Sequence, residues 1–279
     1  MLTPEAAQNR ATALIDRARR AGADAADAIY HGNSSESVQV RLGRLEDVER
    51  SESEAVDLRV FVGQRSASIG SSDMSDEALD ELAARAVAMA RAAPEDQYAG
   101  LAPEDLLARG GFPALDLADA EEPTPKALRA LAEAAEDVAR AVAGVSNSEG
   151  AGASAGHSVL ALATSHGFAG GYCGTSRSLS ASVIAGQGSG MQRDYGFRTA
   201  RYGSDLPSPA EIGRMAGDRA VARLDPGRLK SGALPVVFDP RVGGSLISHL
   251  VGAMTGAAIA RRASFSSIVR TRFCSILRS

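Results

Sequence analysis

The chain has 279 residues, 44% of them hydrophobic, with few aromatic residues, no Trp and a formal net charge of −4. That length buries one large or two ordinary cores, and their packing must rest on Ala, Val and Leu. The negative balance, without a Lys/Arg run before the C-terminus, counts against a nucleic-acid-binding face.

Thr3 and Pro4 open a first helix that runs to about Arg20 and stops at Gly22. This N-terminal stretch is charged and amphipathic and lacks the apolar segment of a secretory signal. Cys173 and Cys274 are isolated thiols that suit a reducing compartment and give neither a disulfide framework nor a zinc knuckle. A cytoplasmic location is the expectation. From about Ala25 to Ser71 the period becomes two, with 37–42 and 56–62 alternating as half-buried strands and a polar strand over 44–52 between them. The three predict an antiparallel meander. A helix follows over 76–92, capped by Ser75 and closed by Pro94.

Residues 93–124, rich in Pro, Gly and acidic side chains, read as an irregular connection. Thr124 and Pro125 start another helix, with Leu128, Leu131, Ala135, Val138 and Val142 on one face and Gly144 as terminator. A Gly/Ser-rich β region spans about 144–203. Ser208-Pro209-Ala210-Glu211 is a capping box that begins a helix to about Leu224. The halves share a helix-then-sheet rhythm without a sequence repeat. Residues 234–238 predict a short apolar strand before the Asp239-Pro240 turn. The helix after it, 242–260, carries Val242, Leu246, Leu250 and Met254 at four-residue spacing, and its Gly252 and Gly256 would permit close approach by another element.

Residues 242–260 are uncharged and long enough to be weighed as a membrane span. Their large apolar side chains contribute roughly −0.5 kcal/mol each to insertion, opposed by four glycines, two serines, Thr255 and His249. A buried helix of a soluble domain accounts for the same pattern.

Three motifs invite chemistry. Gly152-Ala153-Ser154-Ala155-Gly156 fits a nucleophile elbow, which needs a strand, a sharp turn and a helix, yet 158–163 read as another strand. Gly186-Gln187-Gly188-Ser189-Gly190 could cradle phosphate only by opening a helix, and none follows, so a hairpin connection is expected. A helical zinc site needs two imidazoles on one face and a nearby carboxylate. The four histidines, His31, His157, His166 and His249, lie too far apart in sequence for a helical chelate, and no Glu follows Glu211.

The wording MQRDYGFRTARYG (191–203), HGFAGGY (166–172) and ALPVVFDPRVGGSLISHLVGAMTGAAIARRASF (233–265) resembles the PmbA/TldE proteins, sister subunits of the TldD metallopeptidases. TldD-type chains carry His-Glu-x-x-x-His in the last helix. In the register set by Gly244, Leu246, Ile247 and Gly252, this chain has Ser248 and Ala253 at the histidine positions and His249 at that of the glutamate. The resemblance implies an α+β fold: N-terminal antiparallel sheets with packed helices, then the start of a second β-rich domain. It divides the chain into 1–230, 231–265 and an atypical tail, 266–279, that reads as an out-of-frame end of a truncated chain. It also implies a non-catalytic subunit with no cofactor or metal of its own. The implied partner is a TldD-type chain, in a cytoplasmic heterodimer that degrades or trims unfolded peptides, including microcin precursors and antitoxins. Arg193, Tyr195 and His249 are candidates for peptide or partner contact, and an ion pair between Arg193 and a nearby carboxylate is an equally good structural role. The older family label, modulator of DNA gyrase, requires no DNA contact. The competing reading is a stand-alone binding or scaffold module without a peptidase partner.

Overall fold

The computed structural model describes residues 1–110, 113–261 and 264. The chain divides into two compact units, Met1–Pro226 and the part from Gly227 onward.

The first unit is built on one antiparallel sheet of six strands: β1 (Ala25–Arg41), β2 (Arg44–Val62), β3 (Arg65–Ser71), β4 (Val145–Thr164), β5 (Ala169–Ala185) and β6 (Gln192–Ala200). Their order across the sheet is β3-β2-β1-β4-β5-β6. The first meander therefore runs outward from β1, and the second runs outward from β4 on the other side. The seam between them is the β1–β4 ladder, from Asp27↔Thr164 to Val40↔Ala151. The expected strands 37–42 and 44–52 are the inner ends of β1 and β2, which continue without a break through polar residues. A strand needs only its backbone ladder to continue, so alternation fades where neither face meets a helix.

Four helices pack on one face: α1 (Pro4–Arg20), α2 (Asp76–Ala92), α3 (Pro125–Ala141) and α4 (Pro209–Ala222). Each starts where a hydroxyl accepts an orphan amide: Thr3 from Ala6, Ser75 from Ala78, Thr124 from Ala127, and Ser208 from Glu211 within a complete capping box. In β1 the side chains of Ala26, Ala28 and Tyr30 meet α1 and α2, whereas Val38 and Val40 belong to a second core with α3 and α4. β4 divides likewise, with Val159, Ala161 and Ala163 in the first core and Ala151 and Ala153 in the second. All lie at one parity of their strand, so both cores share a sheet face.

On α3 the buried side is Leu128, Ala132, Ala135, Glu136 and Ala139, rotated from the Leu131–Val138 stripe that hydrophobicity alone suggests. The rotation follows from α4, whose Gly213 and Gly217 bring its backbone against Ala135, Ala139 and Val142. Small residues let two helices approach closely, and the larger Leu131 sits at the margin.

The second unit carries α5 (Pro240–Met254) and α6 (Gly256–Ala260). Residues 234–238 form no strand, since no partner segment pairs with them among the described residues. The expected helix 242–260 breaks at Thr255, which is extended and whose hydroxyl accepts the amide of Ala258, restarting the helix. A Cβ placed at Gly252 or Gly256 would meet nothing within 4 Å, so the close approach expected there occurs instead at Gly213 and Gly217. The apolar side chains of α5 are exposed, Ile247 at 62%. The tail 266–279 lies outside the described residues. Among those residues, no helix is long and apolar enough to cross a membrane.

Candidate functional site

The helix at the metal-motif position is capped by Asp239, which accepts the amide of Arg241. Ser248 turns its hydroxyl back to the carbonyl of Gly244 at 3.1 Å, and His249 is exposed. Ala253 is nearly buried and presents a methyl group. Among the described residues no group of three or more His, Cys, Asp or Glu side chains could hold a metal ion. Serine and alanine at the two positions where the motif has histidine do not fit a zinc ion.

Arg193 stands on β6 and reaches Glu149 at 3.2 Å. The other oxygen of Glu149 accepts the Ser182 hydroxyl at 2.8 Å. That hydroxyl, opposed by partial burial and aided by Arg193, holds the Glu149 carboxyl below its usual range. Tyr195 is 48% exposed, and its carbonyl accepts from Arg219 at 3.1 Å. Between these residues, Asp194 is buried beside Arg223 and Gly196 lies against Ile212 of α4. Strand alternation thus turns Arg193, Tyr195 and Phe197 away from the helices, to the opposite sheet face. That face is polar, with Gly152↔Ser180, Ser154↔Ser178 and Gly156↔Ser176 paired across β4 and β5. Arg193 and Tyr195 belong to the first unit and His249 to the second.

The two remaining motifs are structural. Ser154 sits mid-strand in β4 with its hydroxyl 3.3 Å from that of Ser178, so there is no elbow. The 186–190 segment is a hairpin connection with a single 3₁₀ turn before β6.

Sequence reasoning passed over a polar cleft on the helix-bearing face, between the two cores. Its floor is Ser34 and Glu36 of β1, His157 of β4, and Thr175 and Arg177 of β5, with Arg50 of β2 beside them. Arg177 is almost fully buried and donates to the carbonyls of Gly156 and Ser176 at 3.3 and 3.1 Å and to that of Glu121. Asp119 lies 3.9 Å from its guanidinium and keeps its carboxyl low, chiefly through the amides of Gly203 and Glu121. The available signal was an interruption of apolar alternation in three strands that later prove adjacent.

Two models of one family match the chain: PmbA/TldA metallopeptidase domain 1 over residues 26–90, and the PmbA/TldA metallopeptidase central domain over residues 118–224. Metalloprotease PmbA of Escherichia coli O157:H7 is 35% identical over 243 residues, covering 87% of this chain and 54% of that protein. The PmbA homolog of Haemophilus influenzae is 32% identical over 90% of this chain and 55% of its own length. The chain thus spans about half the length of the curated relatives it matches. A crystal structure from Bacteroides thetaiotaomicron, titled a putative modulator of DNA gyrase, superposes with a TM-score of 0.85 at 25% identity, covering 95% of this chain and 61% of that one. TldE from Thermococcus kodakarensis shares the fold, with a TM-score of 0.62 at 17% identity over 76% of this chain and 46% of that one.

Proposed function

We propose, from the premise that this chain belongs to the PmbA/TldD family of metallopeptidase-related proteins, that it is the non-catalytic, TldE-type member of a cytoplasmic heterodimeric metalloprotease. In this reading a TldD-type chain brings the metal. The present chain helps to enclose the unfolded peptide that the pair degrades or trims.

The observation that carries the reading is the composition of α5. Metal-assisted hydrolysis requires two imidazoles to fix the ion, an open position for water and a carboxylate to take its proton. This helix offers the Ser248 hydroxyl, the His249 imidazole in place of the base, and the Ala253 methyl. Arg193, Tyr195 and His249 are assigned to peptide or partner contact. Support comes from their exposure and, for Arg193, from the Glu149 pair that holds the guanidinium at the surface.

The test is elemental analysis of chelator-free protein, combined with cleavage of a labelled, unstructured peptide by this chain alone and with a TldD-type chain. The expected result is no stoichiometric zinc and no cleavage alone, and cleavage by the pair. One tightly held zinc per chain, lost in His249→Ala, would overturn the reading. Failure to associate with any TldD-type chain would favour the stand-alone binding module.

A further inference from the structure

Residues 116–123 lie against β5 and the turn after β6 without forming a helix or strand. Two cavities flank them. One, of about 260 Å³, is lined by Ser34, Glu36, Arg50 and His157. The other, of about 470 Å³, is lined by Leu128, Leu131, Leu179 and Leu206. Asp119, Glu121, Pro123 and Arg177 belong to the walls of both. The segment is the partition between them.

We propose that residues 116–123 form a detachable strap, keyed by Arg177, whose local release joins the two cavities into one trough with a polar and an apolar half.

The bonds that hold the strap converge on a small area. Thr175 donates its amide to Leu117 at 2.9 Å, and its hydroxyl accepts the amide of Asp119 at 2.8 Å. Gly203 donates to the Asp119 carboxylate at 2.9 Å, and Arg177 donates to the Glu121 carbonyl. The Tyr202 hydroxyl bonds the Asp116 carboxylate and lies 3.0 Å from the Ala118 carbonyl. No strap side chain is buried. Polar bonds to groups that water can replace therefore hold it, with Leu117, Ala118 and Pro123 only half-buried, and such segments open locally at far lower free energy than the core. Arg177 keeps its bonds to Gly156 and Ser176 when the strap leaves, so the floor retains its shape. Asp116 adds a bias toward release, because its φ of 46° lies in the left-handed region that non-glycine residues occupy at a cost.

Hydrogen exchange of the intact chain decides the matter, read at the amides of Asp119, Thr175 and Gly203, which bond across the boundary between strap and floor, and compared with the β4 core. In the unmodified protein, exchange at these three amides should be insensitive to low denaturant, whereas β4 exchange should follow global unfolding. Tyr202→Phe and Arg177→Met should each speed the three amides by about tenfold or more and leave β4 unchanged. If Arg177→Met impairs folding, Tyr202→Phe still decides, because it removes a single oxygen outside the core. Exchange at the three amides only in step with β4, or unchanged by Tyr202→Phe, overturns the strap.

Discussion

Gly213 of α4 lies against the backbone of Ala135 on α3, and a Cβ at this glycine would collide with the carbonyl oxygen of Ala135 and crowd the amide of Ala139. Backbone atoms cannot rotate aside as a flexible side chain can. Gly213→Ala should therefore force the helices apart and cost about 1–3 kcal/mol, despite the gain in helix propensity. Chemical denaturation would register it as a lower midpoint with an unchanged slope. A neutral result would mean that α3 and α4 slide freely.

Glu136, fully buried on α3, accepts the Ser148 hydroxyl and the amides of Leu42 and Gly43, the latter two at 2.7 and 2.9 Å. Burial pushes its carboxyl up, but these three bonds outweigh burial and hold it below the ordinary glutamate value. A depressed folded value adds stability that is fully present above the unfolded value, about 4.3, and is lost as pH falls through the folded one. Glu136→Gln should cost about 1.5–3 kcal/mol at pH 7, because one amide donor then faces an NH₂ group. The difference from the unmodified chain should shrink below pH 4.5, measured as urea midpoints across pH. A difference that stays constant down to pH 3 would remove the charge from the account.

The turn that Glu136 holds is unusual in its own right. Leu42 has φ 51° and Gly43 φ 70°, the pair of positive values that a two-residue hairpin of type I′ requires and that asparagine-glycine satisfies best. Leucine adopts that region at a cost of about 1 kcal/mol or more, and this one is half exposed. Leu42→Asn should raise stability by about 1 kcal/mol in thermal melts. A lower melting temperature would show that the leucine side chain contributes more than its backbone costs.

Arg193 and Glu149 make a surface pair, three-quarters exposed on the arginine side, and such pairs contribute about 0–1 kcal/mol. Arg193→Ala should leave the melting temperature within a degree or two yet weaken peptide cleavage by the pair formed with a TldD-type chain. Unchanged cleavage would confine Arg193 to its bond with Glu149.

What the sequence made legible was local. Thr3-Pro4, Ser75, Thr124-Pro125 and Ser208-Glu211 mark four helix starts because capping is decided within one turn. The long-range arrangement left weaker traces. β1 finds β4 across a separation of more than a hundred residues, and nothing within either strand names its partner. Gly213 and Gly217 carry the same spacing as Gly252 and Gly256, so spacing alone could not tell which pair meets a neighbour. Glu136 reads as a surface charge on an amphipathic helix until the hairpin tip from another part of the chain arrives beside it. Arg193 and Tyr195 stood out only through the family resemblance, whereas the cleft around Arg177 required three strands and a connection to converge.

The seam along β1 and β4 has a consequence for how the molecule is made. Each half supplies a helix pair, yet neither can finish a core alone, because β1 and β4 each contribute to both cores and the innermost strand of either half is left as a long bare edge. Closing that edge within one chain must await the second half, and the same distant pairing completes both cores. The connection between the halves, residues 93–124, is long enough to let the waiting edge meet the complementary half of another chain first. Refolding at high concentration thus sets reciprocal exchange of halves between two molecules in competition with closure within one.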